Sequence, residues 1–539
     1  MSSNLKSIVE YHGPHDNYKC GYCKSSDTNF SDGMWAHVLT VSDYQDLIDR
    51  GWRRSGQYCY KPTMNVVCCP MYTIRCAVSD FKPTKSQKKV LKRFNKHLTG
   101  GSSSEVQSGE SRKMSTCSTE SDATNDAETA AGEGGEVFVE SNKTHQDINV
   151  GDVIASFEEQ EKMDADTKDE TEKSGTSNSS TEQRTSDAIQ QKALKKGLGA
   201  DPEKAPCKKA KQLRKERKLE KLKEKGIDIS TLQYTNNSKN KEKQIEDFIN
   251  DLPEDLKNKV EVKLVRTSPP SPEWIATAKE TYAVYVKYQT VVHNDKPEKF
   301  SQFKNFLVES PLVEEYRANG PPCGYGSFHQ QYWLGGCLVA VGVVDILPAC
   351  VSSVYFFYDP QYMHLTLGTY AVGVVDILPA CVSSVYFYDP QYMHLTLGTY
   401  GALREIAFTR HLHNIAPDLK YYYMGYYIHS CRKMRYKGNF TPSYLLCPET
   451  YKWFPIKDCI PKLEASKYCR LNPDLDDIDE NFPKESDIGY IPVWVNGIVM
   501  HHRVYKRKFS NKVIEEDEEL MKYAKLVGSK STKSLILVK

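Results

Sequence analysis

Six cysteines lie within the first 76 residues, and four of them form two close pairs. The first pair is Cys20-Gly-Tyr-Cys23, and the second is the adjacent Cys68 and Cys69, which Pro70 follows. Four thiolates suit zinc or an iron–sulfur cluster, both of which accept about four sulfur ligands in tetrahedral geometry. We therefore predict that Cys20, Cys23, Cys68 and Cys69 bind one metal centre. Buried free thiols in a reducing compartment and redox pairing are the alternatives.

A group of cations near the C-terminal third could contact nucleic acid. Lys433, Arg435 and Lys437 surround Tyr436, directly after the strand-like aromatic run Tyr421–Tyr427. Cations can hold RNA phosphates while an aromatic ring stacks on a base. These three residues are candidate substrate-binding residues, and an exposed cationic loop is the alternative.

Polar side chains interrupt an otherwise apolar strand-like segment at residues 326–334. His329 and Gln331 would share one face of that strand because successive side chains alternate. With Asp345 in the following strand-like segment, they are candidate catalytic groups, and Asp376 is a further candidate base. Ordinary hydrogen-bonded polar groups on an exposed face are the alternative.

The elements around these residues predict a mixed α/β (α+β) fold, with helices on the faces of a sheet. The turn Gly335-Gly336 predicts a hairpin between strands. Short strands are predicted at Val66-Val67 and Tyr72–Arg75, and helices at residues 273–291, 299–318 and 396–413.

Composition divides the 539 residues into three parts. Residues 1–95 predict a cysteine-rich N-terminal domain, and residues 246–539 predict a larger C-terminal domain. Residues 96–245 predict a disordered linker, because 21 acidic and 7 basic side chains and few aromatics lie between 101 and 190. Near 205–226 the sign of the charge reverses and a basic helix is predicted, either solvated or in contact with RNA, a nuclear import receptor or the acidic linker.

Composition and the N-terminal sequence predict a cytoplasmic protein that can also enter the nucleus. No run of 18 apolar residues is present, and the start lacks the apolar core of a secretory signal. Sixteen cysteines without such a signal argue against a disulfide framework. The net charge of +2 does not by itself identify a partner.

One segment occurs twice. Residues 340–370 and 371–400 have the same sequence, except that Phe356-Phe357 in the first copy corresponds to the single Phe387 in the second. Because the flanking elements join smoothly to one copy each, we predict that one copy is surplus to a single domain. A one-residue difference matters because it would turn every later side chain of a strand to the opposite face.

Long motifs in both predicted domains resemble the eukaryotic arginyl-tRNA–protein transferase family. They are Cys20-Gly-Tyr-Cys23, Gly51-Trp-Arg-Arg-Ser-Gly56, Cys68-Cys-Pro-Met-Tyr-Thr-Ile-Arg-Cys76, Gly326-Ser-Phe-His-Gln-Gln-Tyr-Trp-Leu334, Ala402-Leu-Arg-Glu-Ile-Ala-Phe-Thr-Arg410 and Met434-Arg-Tyr-Lys-Gly438. The resemblance covers about residues 1–95 and 246–539.

The resemblance implies transfer of arginine from arginyl-tRNA to the α-amino group of proteins that begin with Asp, Glu or oxidised Cys. It places the chain in the N-degron pathway, which ends in ubiquitin-dependent degradation and involves ubiquitin-ligase machinery. It implies an acetyltransferase-like (GNAT) fold in the C-terminal domain, and an iron–sulfur or metal site at the four cysteines. An acidic acceptor side chain needs a cationic partner, and Arg53 and Arg54 are the candidates because arginine binds carboxylates in a bidentate manner.

Two other functions compete with this interpretation. An acetyl-CoA-dependent N-acetyltransferase would need a Gln/Arg-x-x-Gly-x-Gly/Ala loop, where this chain has Leu-Thr-Leu-Gly-Thr-Tyr-Gly. A non-catalytic, metal-containing RNA-binding form could result from the duplication.

Overall fold

Two sheets organise the part of the chain that the computed structural model describes, namely residues 6–99, 243–250, 259–297, 299–361, 398–509 and 514–539, with isolated residues at 216, 217, 220 and 252. Residues 6–99 and 244–539 belong to one compact unit. The predicted linker at 96–245 and the basic helix near 205–226 lie almost entirely outside the described residues. No helix of the described part is long and apolar enough to cross a bilayer.

The first sheet has seven strands in the order β14-β13-β15-β1-β2-β4-β3. Its strands are β1 Ser7–Tyr18, β2 Asn29–Val38, β3 Arg53–Ser55, β4 Tyr58–Pro62, β13 Pro492–Val495, β14 Ile498–His501 and β15 Leu535–Val538.

The second sheet has eight strands in the order β12-β11-β5-β10-β9-β8-β7-β6. Its strands are β5 Tyr72–Ala77, β6 Val260–Ser268, β7 Gly326–Leu334, β8 Cys337–Ile346, β9 Cys350–Tyr358, β10 Tyr421–Tyr427, β11 Ser443–Leu446 and β12 Trp453–Pro455.

Helices pack against the sheets. They are α1 Val41–Ile48, α2 Lys85–Leu98, α3 Ile245–Ile249, α4 Pro272–Tyr288, α5 Phe300–Phe303, α6 Gly398–Ile415, α7 Arg432–Arg435, α8 Ile456–Ala465, α9 Glu485–Ile488, α10 His502–Lys508 and α11 Ile514–Ser534. The π-helical turns Gln289–His293 and Lys304–Val308 extend α4 and α5, and a 3-10 turn at Tyr436–Asn439 extends α7.

The segments 1–95 and 246–539, which the sequence predicts as two domains, contribute strands to both sheets. β5 lies between β10 and β11 of the eight-stranded sheet, and β15 pairs with β1 in the seven-stranded sheet. One apolar cluster contains buried residues of both segments, such as Trp52, Ile74, Val344 and Tyr422. The mixed α/β architecture predicted from the sequence is confirmed.

Several predicted elements are confirmed. Gly335 and Gly336 have φ values of 56° and 84° and join β7 to β8, as the hairpin prediction requires. The predicted helix at 273–291 corresponds to α4 and its π-helical turn, and that at 396–413 corresponds to α6. Both polar candidates of the predicted strand at 326–334 lie in β7.

Two predicted elements are wrong. The helix predicted at 299–318 ends at Val308, because Pro311 disfavours helical backbone at the residue before it. The strand predicted at Val66-Val67 is a turn, in which both amide groups donate to the carbonyl of Thr63.

The first copy of the repeat supplies most of β8 and all of β9. The rings of two consecutive phenylalanines lie on opposite faces of β9. Phe356 packs against the first turn of α6, whereas Phe357 packs against Tyr285 and Phe303, with ring centroids 5.5 and 6.3 Å away. The second copy enters the described residues only at Gly398–Tyr400, the start of α6. Residues 362–397, and Asp376 with them, lie outside the described residues.

Candidate active site and metal centre

The four cysteines of the predicted metal site come together. The Sγ atoms of Cys20, Cys23, Cys68 and Cys69 all lie within 4.8 Å of one another, and those of Cys23 and Cys68 are 3.3 Å apart. A turn after β1 carries the first pair, and a turn between β4 and β5 carries the second. The amide of Cys68 donates to the carbonyl of Thr28, which ties the two turns together. The local backbone therefore brings four soft ligands to one point.

The thiols of this cluster differ in acidity because they share hydrogen bonds. A hydrogen bond from Cys69 lowers the pKa of Cys20 to about 4, and the same interaction raises the pKa of Cys69. Burial raises the pKa of Cys68 to about 11. Such mutually dependent thiols are a suitable donor set for a metal, which binds them as thiolates.

The four-cysteine cluster packs directly against the segment that follows β10. Cys20 and Cys69 are buried with Ile428 and Met434 in one small apolar cluster. This segment contains α7 and the 3-10 turn, and therefore carries Lys433, Arg435 and Lys437. The metal site and the predicted cationic segment are thus neighbours.

A narrow cavity lies where β9 and β10 separate. These parallel strands pair only as far as Ser352 and Tyr423. Beyond that point Gly425 adopts a φ of 71°, and the pairing of β10 with β5 shifts in register. On β9, a bulge opposite Val343 and Val344 adds a residue. The resulting cavity, of about 20 Å³, is lined by residues of β9 and β10 and by side chains from both sheets.

Three buried cations line this cavity, namely Arg53, Lys437 and Arg54, and the environment of Arg54 is described below. Arg53 is 5 % exposed, and its Nη1 donates to the carbonyls of Ile48 and Trp52. Its Nε and Nη2 have no hydrogen-bond partner among the described residues. Lys437 is 2 % exposed, and its Nζ donates to the carbonyl of Tyr426. Burial, followed by the charge of Arg53, lowers the pKa of Lys437 to about 7. A buried guanidinium with unused donors, as in Arg53, indicates a binding place for an anion.

Neutral polar groups complete the lining of the cavity. The hydroxyl of Tyr60 is buried and has no hydrogen-bond partner within the described part of the chain, and the buried hydroxyl of Ser353 interacts with Glu405. An unused hydroxyl in a buried site is costly unless a ligand or water satisfies it. The cavity therefore contains several groups that a polar substrate could satisfy.

Arg54, the other arginine predicted to bind the acceptor, has a different environment. Its Nε and Nη2 donate to the two carboxylate oxygens of Asp345 at 2.8 and 2.6 Å, and Nη2 also donates to Ser327. All three side chains are buried. This bidentate pair joins β3 of one sheet to β8 of the other, so the charge of Arg54 is already matched. We therefore interpret Arg54 as a residue that holds the two sheets together.

The three predicted catalytic groups are also engaged within the core. Asp345 is bound to Arg54. His329 donates from Nε2 to the carbonyl of Leu307 and accepts from the indole of Trp274, and burial lowers its pKa to about 4. The side-chain amide of Gln331 donates to Thr277 and Thr281. These hydrogen bonds attach the neighbouring helical segments to β7. His329 and Gln331 are therefore unsuited to proton transfer with a substrate.

The predicted RNA-contacting cations do not all lie together. Lys437 points into the cavity, whereas Arg435 is exposed and donates to the carbonyl of His429, and Lys433 is half-buried. The combination of Arg53 with Lys437 was missed in the sequence, where 383 positions separate them. Gly425 inside an aromatic strand was the one local signal, since glycine in a strand often marks a bulge.

The fold and the site define a class of protein: a mixed α/β protein with a buried cationic cavity at a parallel strand pair and a four-cysteine cluster beside it. Comparison with known proteins identifies the family. Residues 18–89 match the model described as "Arginine-tRNA-protein transferase, N terminus". Residues 280–373 and 370–447 match the corresponding C-terminus model, in two stretches that meet at the junction of the repeat.

Similar proteins from a fly and a plant span most of the chain. Arginyl-tRNA–protein transferase 1 of Drosophila melanogaster is 39 % identical over 99 % of both chains. A protein of the same name from Arabidopsis thaliana is 32 % identical, over 87 % of this chain and 76 % of the relative. An aspartate/glutamate leucyltransferase of Methylobacillus flagellatus is 31 % identical over 34 % of this chain and 54 % of the relative. The chain belongs to the arginyl-tRNA–protein transferase family.

Proposed function

We propose that this chain transfers arginine from arginyl-tRNA to the α-amino group of proteins that begin with Asp, Glu or oxidised Cys. Family membership supports the reaction. The observation that supports the acceptor class is the buried guanidinium of Arg53, which has two unused donors in the cavity between β9 and β10. A carboxylate or sulfonate oxygen pair matches the fork of donors that arginine presents.

The proposed reaction is an aminolysis of the aminoacyl ester. The acceptor's α-nitrogen attacks the ester carbonyl carbon, a C–N bond forms, and the ester C–O bond breaks to release the tRNA ribose hydroxyl. Because the ester is already activated, positioning is the main task of the enzyme. In this proposal Arg53 holds the acidic side chain of the acceptor. The cavity has space for about one water molecule, so we expect the strands to separate further when an acceptor enters.

The incoming α-ammonium must lose a proton before it attacks. We propose Lys437 as the group that takes this proton, since its lowered pKa of about 7 leaves a large fraction of neutral amine near neutral pH.

The role of Lys437 predicts a pH dependence. Activity should rise with pH through about 7, because only the neutral amine accepts a proton. Lys437→Met should lower kcat by about 100-fold and remove this limb of the profile, within the range typical of acid–base catalysis. Lys437→Arg, which stays charged, is the matched control and should be equally impaired. A K437M enzyme that keeps the limb near pH 7 would exclude this role.

We propose that the C-terminal part has a GNAT-like arrangement. In chain order it consists of β6, the helices α4 and α5, the antiparallel strands β7, β8 and β9, then α6 and β10 parallel to β9. A parallel pair that separates to form a substrate cleft is what such a fold would supply. A structure with a bound aminoacyl-nucleotide analogue outside this cleft would contradict the proposal.

We propose that Cys20, Cys23, Cys68 and Cys69 bind one zinc or iron ion. Zinc–sulfur bonds of about 2.3 Å in a tetrahedron place sulfurs about 3.8 Å apart, which fits atoms that all lie within 4.8 Å. An iron–sulfur cluster inserts several atoms between its ligands and needs wider spacing. The ion would hold the two turns together and so support the segment that carries Lys437.

Metal analysis under anaerobic conditions tests this site. We expect about one zinc or iron per chain and no acid-labile sulfide, with the metal lost in the double variant Cys20→Ala, Cys69→Ala. Cys76→Ala with Cys337→Ala, outside the cluster, should keep the metal. Sulfide in proportion to iron would instead establish a cluster, and unchanged metal in the double variant would exclude these ligands.

The reaction itself is tested with two donors and one acceptor peptide in one assay. Arginyl-tRNA should modify a peptide that begins with Asp, whereas acetyl-CoA should not acetylate it. Acetylation without arginylation would favour the acetyltransferase alternative. Binding of tRNA without either product would favour the non-catalytic form.

In cells, we propose that the chain acts in the cytoplasm or nucleus and that its products enter ubiquitin-dependent degradation. A reporter protein that begins with Asp should be short-lived where the chain is present and long-lived after its removal. Equal half-lives in the two cell lines would contradict this role.

A further inference from the structure

Helix α2 has one face composed of cations. Residues 81–99 contain seven Lys or Arg and no Asp or Glu. Lys85, Lys89, Lys92 and Lys96 recur at helical spacing on its exposed side. The opposite side is buried through Val90, Leu91, Phe94 and Leu98, which fixes the helix to the rest of the unit.

Among the described residues, no carboxylate forms an ion pair with these cations. Within the described part of the chain, no salt bridge involves Lys85, Lys89 or Lys96, and Lys92 faces the ring of Phe248 at 5.8 Å. By contrast, lysines of α10 and α11 pair with acids, for example Lys506 with Asp517 and Lys530 with Asp46. Within the described part of the chain, the face on α2 therefore presents positive charge that no acid pairs with.

The orientation of α2 relates this face to the candidate active site. The ring of Phe94 lies 4.0 Å from that of Tyr400 in the first turn of α6, and Phe81, just before α2, accepts a hydrogen bond from Arg410 near the end of α6. The two helices are thus antiparallel. The C-terminal half of α2, which carries Lys92 and Lys96, flanks the beginning of α6.

The beginning of α6 lies at the same edge of the sheet as the cavity. Because the end of α6 leads directly into the start of β10, its beginning lies toward the carboxyl ends of β9 and β10. Consistent with this, Phe356 in the second half of β9 packs against Gly401. The strands separate beyond Ser352 and Tyr423, toward that edge. The cationic face therefore leads toward the place where the reaction is proposed to occur.

We infer that the lysine face of α2 binds the phosphate backbone of the tRNA substrate and directs its aminoacylated end toward the cleft between β9 and β10. The inference rests on the proposed function for the identity of the polyanion. Evenly spaced cations on one rigid helix match the regular spacing of phosphates, and such contacts position a nucleic acid without reading its sequence. Lys85, Lys89 and Lys96 are the binding residues.

The test compares two charge-reversal variants of the full-length protein. The first is Lys85→Glu, Lys89→Glu, Lys96→Glu. The control is Arg503→Glu, Arg507→Glu, Lys508→Glu, three exposed cations in α10. That helix follows β14, at the edge of the seven-stranded sheet opposite the strand of Arg53, about 29 Å away across six strand spacings. Both variants change the net charge equally.

Uncharged arginine tRNA is the probe, and its affinity is measured by fluorescence anisotropy at several salt concentrations. We expect the α2 variant to bind at least about 10-fold more weakly and its salt slope to fall by about two to three, one for each lost phosphate contact. The control should bind like the unmodified protein. With saturating arginyl-tRNA the α2 variant should recover most of its kcat.

Two outcomes would overturn the inference. Unchanged affinity and salt slope in the α2 variant would mean that the face binds another partner, such as an acidic protein segment. Equal weakening in both variants would mean that only overall charge matters. If instead tRNA binds through α2 but no arginine is transferred, the inference stands and the proposed function fails.

Discussion

Replacing Arg53 by Met is expected to lower kcat/KM for a peptide that begins with Asp by about 10- to 100-fold. The guanidinium is buried in the cavity with two unused donors, which would form charge-assisted hydrogen bonds to the acceptor carboxylate. Loss of such bonds costs about 1.5–3 kcal/mol, and each 1.4 kcal/mol corresponds to about a factor of ten. Initial rates at saturating arginyl-tRNA, over a range of peptide concentrations, measure the effect.

An otherwise identical peptide that begins with Asn separates recognition from general damage. The unmodified chain should have a much higher kcat/KM for the Asp peptide than for the Asn peptide. R53M should lose most of that preference, because the neutral Asn side chain forms no ion pair with Arg53. Equal losses for both peptides would mean that Arg53 does not read the acidic side chain. Stability supplies a second control. R53M loses the hydrogen bonds to the carbonyls of Ile48 and Trp52 but leaves no buried carboxylate unpaired, so its melting temperature should fall only modestly.

Arg54→Met provides the matched contrast from the next position. It would leave the buried carboxylate of Asp345 without its bidentate partner. Breaking a buried pair in this way costs about 3–5 kcal/mol, so we expect a much lower melting temperature in R54M than in R53M. Similar melting temperatures for the two variants would contradict the assignment of Arg54 to structure and Arg53 to binding.

Deletion of residues 340–370 is expected to abolish folding, whereas deletion of residues 371–400 is expected to preserve or improve stability and activity. The first deletion would make the second copy form β9. With the single Phe387 in place of Phe356-Phe357, Tyr388 would take the position of Phe357 and Asp389 that of the buried Tyr358. Burial of an unpaired carboxylate and loss of a core ring each cost several kcal/mol, about 3–5 kcal/mol for the ring alone.

The second deletion changes no side chain of the described fold. Gly368-Thr369-Tyr370 would replace Gly398-Thr399-Tyr400, with the same sequence, at the start of α6. The connection from β9 to α6 would shrink from residues 359–397 to residues 359–367, much nearer to the usual length of about 2–6 residues for such connections. The test compares the undeleted chain with the two deletion variants by melting temperature, soluble yield and arginine transfer. If the undeleted chain is the most stable and the most active, the second copy is a genuine structural element.

The sequence by itself determined those features that depend on local spacing or on long motifs. The pairs Cys20/Cys23 and Cys68/Cys69 indicated one metal centre, because four thiols in two close pairs are a typical ligand set for a single metal. The Gly335-Gly336 hairpin and helices α4 and α6 followed from turn chemistry and periodicity. The motifs around Cys68 and His329 identified the family, although His329 itself has a packing role.

Only the tertiary structure decided how distant residues divide their roles. Neighbours in the sequence, Arg53 and Arg54, point from opposite faces of β3, because strand side chains alternate. Both border the cavity, but the donors of Arg54 bind Asp345 of the other sheet, whereas Arg53 keeps two unused donors. Lys437 joins Arg53 there only because β9 and β10 separate at Gly425, a consequence of long-range strand pairing that local sequence does not encode. The environment of each charge, and hence its function, is fixed by these non-local contacts.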